Sequence, residues 1–288
     1  MADIKRYAAP TTLEEASEIL RAGNVTVLAG GTDLMPQTKA GRLQFQPVLM
    51  NVRRVPELGG IDDQGTMVRI GALVTITELL ESQFVRERLN LLWQACNHFA
   101  SDQIRNAATV GGNVCNASPA GDTLVPLLAL NACAVLAAKP NGALQLRRVP
   151  LTGFFIGPGR SCRAPAELLT AIEVPLPPAG FRGGFYKHGT RPGLDIAAIA
   201  IALGARRDGA VLRDVRVAFG AVAPTPVRAP RTEAAIEGRP IDAAMLETAA
   251  RTALEEVHPI SDVRASDWYR RELIHNMIKR VLMHVGQL

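Results

Sequence analysis

The sequence predicts an α+β fold in two domains. Short strand-like runs alternate irregularly with helical stretches, without the steady alternation that a doubly wound sheet shows. A proline- and glycine-rich stretch, Pro175–Gly180, divides the chain, and the character of the segments changes beyond it. The chain has 288 residues, 48% hydrophobic and 20% charged, which is long and apolar enough to bury a core without disulfide or metal staples.

From the amino terminus, Thr12-x-x-Glu15 reads as a capping box. It opens a helix with Leu13, Ala16 and Leu20 on one face and Gly23 as its stop. Val25–Leu28 reads as a short buried strand running straight into Ala29-Gly-Gly-Thr-Asp33. Pro47–Val52 and Met67–Ile70 read as further strands. Leu92, Cys96 and Phe99 share a helical spacing, which predicts one helix over Glu87–Ala100. A loop is expected from Ser101 to Asp122, and strands over Ala132–Ala138, Ala143–Val149 and Leu168–Val174. Past the linker, Phe185–Lys187, Ile196–Ala205 and Val211–Val222 suggest a small sheet. Two or three helices follow, the last starting near Ser266-Asp267 with Leu273, Met277 and Val281 at helical spacing.

Several function classes are disfavoured by composition. The net charge is +5, but aromatics are only 5% and no basic stretch is interleaved with them, so nucleic acid is not an expected partner. The longest apolar run, Leu124–Ala138, is interrupted by Pro126 and Asn131 and falls short of a membrane span. No basic start followed by an apolar stretch marks a leader over residues 1–20. Cys96, Cys115, Cys133 and Cys162 stand far apart with no C-x-x-C, so no metal centre is expected in this chain. Lone thiols suit a cytoplasmic protein. Histidines 98, 188, 258, 275 and 284 form no ligand-spaced set.

The chemistry is concentrated in two glycine pairs, Gly30-Gly31 and Gly111-Gly112. Paired glycines open backbone conformations closed to other residues and let amide N–H groups crowd around an anion. Thr32 can donate a hydroxyl to phosphate. Asp33 suits a helix cap or a ribose hydroxyl. Either pair alone is adequately explained as a tight turn. Two such loops, each flanked by Thr and by Asp or Asn, fit a dinucleotide, which has two phosphates and two ribose units to hold. Neither matches G-x-G-x-x-G or the P-loop pattern, and Gly157-Pro-Gly159 is a poor Rossmann match.

Taken together, Ala29-Gly-Gly-Thr-Asp-Leu34, Gln103-Ile-Arg-Asn106, Ala108-Thr-Val-Gly-Gly-Asn113 and the stretch Asn116–Asp122 resemble the flavin subunits of the molybdenum hydroxylases. The likeness continues through Phe154-Phe155-x-Gly157-x-Gly159, Leu168-Leu169-x-x-Ile172-Glu-x-Pro175, Phe185-Tyr-Lys187, Arg191–Ala198 and the closing helix. It implies a two-lobed FAD-binding domain of the vanillyl-alcohol-oxidase type over 1–177, with lobes of about 1–57 and 58–177. A C-terminal domain of antiparallel sheet and helices follows over 178–288. By the same resemblance, Leu28, Ala29, Gly30, Gly31, Thr32, Asp33 and Leu34 hold FAD together with Thr109, Val110, Gly111, Gly112 and Asn113, and Phe99, Asp122, Leu169 and Lys187 fall at FAD contacts. A molybdenum cofactor on a large chain and [2Fe-2S] clusters on a small chain are the implied partners, in a dimer of heterotrimers. Electrons would pass from them through the flavin to an external acceptor. The hydroxybenzoyl-CoA reductase branch is disfavoured, because its cysteine-rich insert for a further cluster has no counterpart here.

Each of these residues also has an ordinary reading. Phe99 suits core packing, Asp122 a cap for a helix starting at Thr123, Leu169 a plain strand position and Lys187 the surface. A cation at Lys187 would favour an anionic reduced flavin. Cys115 reads as a small buried hydrophobe. Two other functions stay open at this point: a stand-alone flavin oxidase or reductase, and a nucleotide-binding assembly subunit without turnover.

Overall fold

The computed structural model describes residues 4–191 and 193–287. The start of the stretch read for a leader, Pro192 within the Arg191–Ala198 segment, and the final residue lie outside the described residues.

The first lobe is a three-stranded parallel sheet. β1 (Arg6–Ala8) leads through α1 (Leu13–Arg21) to β2 (Val25–Leu28). α2 (Leu34–Lys39) then precedes β3 (Val48–Asn51), which takes the central position between the other two strands. Thr12 caps α1 as its sequence suggests, its Oγ1 accepting from Glu15 N at 3.1 Å, a contact worth roughly 1 kcal/mol. The capping box is incomplete, because the Glu15 carboxylate accepts from Thr11 N at 2.8 Å and not from Thr12. Ala16 and Leu20 pack on Met50 and Val52. β2 is half-buried along its whole length, and not fully buried as its apolar run suggests, because the cleft described below runs beside it.

The second lobe begins with β4 (Ile61–Asp63) and β5 (Met67–Gly71). A run of short helices follows: α3 (Ile76–Glu81), α4 (Gln83–Arg88), α5 (Asn90–Asn97), α6 (Asp102–Arg105), α7 (Val110–Asn116) and α8 (Leu124–Ala129). Then come β6 (Cys133–Ala138), β7 (Gln145–Pro150), the small hairpin of β8 (Phe155–Gly157) and β9 (Arg160–Ser161), and β10 (Leu168–Pro175). The antiparallel sheet has the order β4-β5-β10-β6-β7, and its central strand, β10, is buried along nearly its whole length.

Two expectations fail in this lobe. The helix expected over Glu87–Ala100 is two helices, because Leu89 leaves helical backbone at φ −126°, ψ 43°. The break lets Val85 from one helix and Leu91 and Leu92 from the next enter the same core. The loop expected from Ser101 to Asp122 contains α6 and α7. Ser101 and Thr109 are their N-caps, accepting from Ile104 N at 3.4 Å and Gly112 N at 3.0 Å. The small polar residues that signal a loop here therefore start helices.

The C-terminal domain is built on β11 (Phe181–His188), β12 (Ile199–Asp208), β13 (Val211–Gly220) and β14 (Val227–Arg228), paired antiparallel in that order. α9 (Pro230–Ile236), α10 (Ala243–Glu255) and α11 (Asp267–Gln287) complete it. Side chains alternate across β12. Ile199, Ile201 and Leu203 face the helices, while Ala200 and Ala202 belong to the core of the second lobe. Small residues on that face let the sheet approach α5 closely. A Cβ on Gly183 of β11 would already sit 3.0 Å from Leu91. The chain is thus a two-domain α+β protein whose domains share packed side chains. No described helix is long and apolar enough to cross a membrane.

Candidate functional site

A cleft of ≈ 1190 Å³ runs between the two lobes and reaches a loop of the C-terminal domain. Its first wall is the turn joining β2 to α2. Gly31 adopts φ +71°, a conformation that favours glycine. Gly30 lies so close to the opposite wall that a Cβ there would sit 1.9 Å from Ala107 O. The amides of Gly30, Gly31, Thr32, Asp33 and Leu34 have no hydrogen-bond partner among the described residues. All five residues line the cleft, and a run of free amides there is the kind of anion cradle that phosphate requires. Asp33 precedes α2 but does not cap it; its carboxylate accepts from Gln37 Nε2.

The second glycine pair is built differently, which corrects the expectation of two equivalent nests. Thr75 and Thr109 form an antiparallel bridge. That pairing sends Val110 N to Val74 O at 2.9 Å and Gly111 N to Ala72 O at 3.0 Å. Gly112 N donates to Thr109 Oγ1, and Asn113 N to Thr109 O. All four amides are committed within the protein. Gly111 is a packing glycine, since a Cβ would meet both Ala72 Cβ and Ala72 O at 2.6 Å. Thr109, Gly111, Gly112 and Asn113 still line the cleft, but as a close-packed surface and not as a set of free donors.

Asp122 also lines the cleft, as its expected FAD contact requires, but it does not act as the helix cap of its other reading. Thr123 precedes α8 without any side-chain cap, and Asp122 does not supply one. Its Oδ2 accepts from Lys187 Nζ at 2.7 Å, while Oδ1 is buried without a partner. Burial pushes the carboxyl up to about 6, partly offset by the Lys187 ammonium. Lys187 also donates to His98 O at 3.2 Å, and its side chain is only 7% exposed, so it is no surface lysine. Lys187 stands behind Asp122 and does not itself line the cleft; nor do Leu28 and Val110.

Phe99 and Leu169 reach the cleft from the end of α5 and from β10. Residues not foreseen as site residues join them: Ser101, Ile104, Asn116, Arg163 and the stretch 194–196. Asn116 sits inside a quoted motif and was open to selection on that ground. Leu194–Ile196 lie inside the Arg191–Ala198 likeness, but nothing in their own residue types marks them as cleft residues, because they reach the cleft through the docking of β11 and β12. The Asp195 carboxylate organises that loop, accepting from Thr190 Oγ1 at 2.8 Å, Arg191 N at 3.2 Å and Ile196 N at 2.9 Å. These bonds, the Thr190 hydroxyl foremost, hold its carboxyl below the usual range.

Residues 2–177 match the family described as the FAD binding domain in molybdopterin dehydrogenase, and residues 184–285 match the CO dehydrogenase flavoprotein C-terminal domain. The chain belongs to the FAD-binding subunits of the molybdenum hydroxylases. This flavin subunit is 33% identical over 286 residues to the xanthine dehydrogenase FAD-binding subunit of Escherichia coli O157:H7, covering 98% of this chain and 96% of that one. It is 31% identical to the glyceraldehyde dehydrogenase medium chain of Sulfolobus acidocaldarius, over 97% of this chain and 98% of that one. Among solved structures, a carbon monoxide dehydrogenase from Hydrogenophaga pseudoflava superposes with a TM-score of 0.93 at 32% identity, over 100% of this chain and 99% of that one. Quinoline 2-oxidoreductase from Pseudomonas putida 86 gives 0.91 at 28% identity, over 98% of this chain and 96% of that one. FAD is the cofactor of this subunit, and the cleft suits it. The cradle of free amides matches a pyrophosphate, the absent Cβ of Gly30 makes room beside it, and the orphaned Asp122 Oδ1 awaits a donor.

Proposed function

We propose that this chain is the electron-transfer flavoprotein of a molybdenum-containing hydroxylase complex. In this reading a small chain carrying [2Fe-2S] clusters, fed by a molybdenum cofactor on a large chain, delivers electrons to it, and an external acceptor takes them away. The likeness of nearly the whole chain to medium chains and FAD-binding subunits of dehydrogenases carries the reading. When bound, FAD supplies the ability to accept electrons singly and release one or two.

The protein's own residues do the rest. The amides from Gly30 to Leu34 bind the pyrophosphate. Thr32 and Asp33 lie beside it, and Phe99, Leu169 and Asp122 set the polarity and shape of the remaining cleft. Lys187 acts through Asp122, fixing its orientation and supplying a counter-charge. The division into an FAD-binding domain over 1–177, with lobes meeting near residue 57, and a second domain over 178–288 is supported by the separate sheets of each part. The proposed complex is a dimer of heterotrimers, as the family resemblance implies, and the four free thiols support a reducing, cytoplasmic compartment for it.

Affinity purification of a tagged chain from its native host, with mass spectrometry and metal analysis, tests the reading. Stoichiometric iron and molybdenum should accompany two further polypeptides. A preparation of this polypeptide alone, fully active on a small organic substrate, would overturn it in favour of a stand-alone flavin enzyme.

A further inference from the structure

The Gln103-Ile-Arg-Asn106 segment holds a residue whose role the FAD site does not yet account for. Arg105 does not line the cleft. Its side chain is 18% exposed and turns back beneath the end of α5. There Nη1 donates to Asn97 O at 3.1 Å and to Phe99 O at 3.2 Å, while Nη2 pairs with Asp102. Between and beyond those two carbonyls the backbone departs from helix and reaches φ +34° at Ala100, an unusual value for a residue with a Cβ. Phe99, Ala100, Ser101 and Ile104 on this segment all line the cleft.

The same segment reaches the opposite side of the site. Ile104 O accepts from Ala107 N at 3.1 Å and from Ala108 N at 2.7 Å, which sets the direction of the next peptide. Ala107 O is the atom pressed against Gly30. One guanidinium therefore fixes a continuous piece of chain that carries the Phe99 wall at one end and abuts the glycine cradle at the other. Nη1 holds both carbonyls through its two N–H groups while Nη2 pairs with Asp102, so the rigid plane of the guanidinium fixes three acceptors in one geometry, which a rotatable ammonium reproduces only in part.

We infer that Arg105 is a positioning residue for FAD, holding Phe99 and the left-handed Ala100 in the cleft wall through the carbonyls of Asn97 and Phe99. It exerts this effect without touching the cofactor. The inference rests on the cleft being the FAD site, so a Gly31→Val chain serves as the control for that assignment.

The test is titration of the flavin-free full-length chain with FAD, following fluorescence and the visible absorption band, for the wild type and for Arg105→Ala, Arg105→Gln and Arg105→Lys. Arg105→Ala should weaken FAD binding about tenfold and displace the visible band, with the far-UV circular dichroism of the apo-chain unchanged. Arg105→Lys should recover part of both losses. If Arg105→Ala does not fold, Arg105→Lys and Arg105→Gln report the same two quantities. Wild-type affinity in the folded Arg105 variants overturns the inference. So does weakened binding with an unaltered visible band, which would leave Arg105 a purely structural role. If Gly31→Val binds FAD as the wild type does, the cleft assignment itself fails, whatever the Arg105 variants show.

Discussion

Lys187 Nζ donates to Asp122 Oδ2 at 2.7 Å and leaves Asp122 Oδ1 buried and unpartnered against the cleft. The pair joins β11 of the C-terminal domain to the segment before α8, so the site is complete only when both domains are docked. Removing one member of a buried pair leaves an uncompensated charge and typically costs about 3–5 kcal/mol. Lys187→Met should therefore destabilise the apo-chain by about 3 kcal/mol in urea unfolding. The double variant with Asp122→Asn should recover part of that loss. Equal stability of wild type and Lys187→Met would show that the pair contributes nothing.

The same carboxylate predicts a pH dependence. Burial raises the Asp122 carboxyl to about 6 from 3.8, so the folded chain retains a proton that the unfolded chain gives up. The stabilisation from that proton is complete below about pH 4 and is lost as pH rises through about 6. Asp122→Asn should flatten the stability profile of the apo-chain between those values. An unchanged slope would place the titration elsewhere.

The two glycine pairs should separate by phenotype. Gly31→Val meets a φ of +71°, and the cradle amides lie in the same turn, so FAD affinity should collapse with most of the fold retained. Gly111→Val drives a branched side chain into Ala72 inside a packed helix–strand contact, so the apo-chain should lose several degrees of melting temperature before any cofactor is added. Melting curves and FAD titrations of both variants decide this. A Gly111→Val chain with wild-type stability and no FAD affinity would restore the second cradle.

FAD should be bound without a covalent link. Cys115 borders the cleft, but burial pushes its thiol up, away from the reactive thiolate. Tyr186 Oη lies 3.3 Å from His188 Nδ1, outside the cleft lining. Acid precipitation should release all the yellow colour into the supernatant. A coloured pellet would contradict the assignment.

Gln94 should prove to register one domain on the other. Its Nε2 donates to Gly183 O at 2.9 Å and its Oε1 accepts from Phe185 N at 2.9 Å, so a single amide pairs with the edge of β11 as a neighbouring strand would. Gln94→Ala leaves both backbone groups without that partner. A loss of about 1–3 kcal/mol is expected, together with weaker FAD binding, because Lys187 lies on the same strand. Unchanged FAD affinity in a destabilised chain would confine Gln94 to a role in stability.

Much of this protein was legible in the sequence wherever the cause is local. The strand Val25–Leu28, the cap at Thr12 and the special backbone of the first glycine pair follow from side-chain shape and hydrogen-bonding capacity within a few residues. Asp122 and Leu169 lie in the motif string and Phe99 follows from the family resemblance alone, and the cleft brings all three together with that turn. What the sequence could not decide is which donors remain free. The amides of Gly30 and Gly31 and those of Gly111 and Gly112 look alike in one dimension. The pairing of Thr75 with Thr109, set by how the second lobe packs, commits one group and leaves the other open. Distance along the chain likewise hides the partners of Lys187 and the arrival of Leu194–Ile196 at the cleft, whereas the partners of Arg105 lie nearby in sequence and are set by how the chain leaves α5. Each depends on carbonyls, carboxylates or strands placed by docking between domains or at the end of a helix. Local propensity fixes conformation over a few residues, while the satisfaction of buried polar groups is a property of the assembled fold.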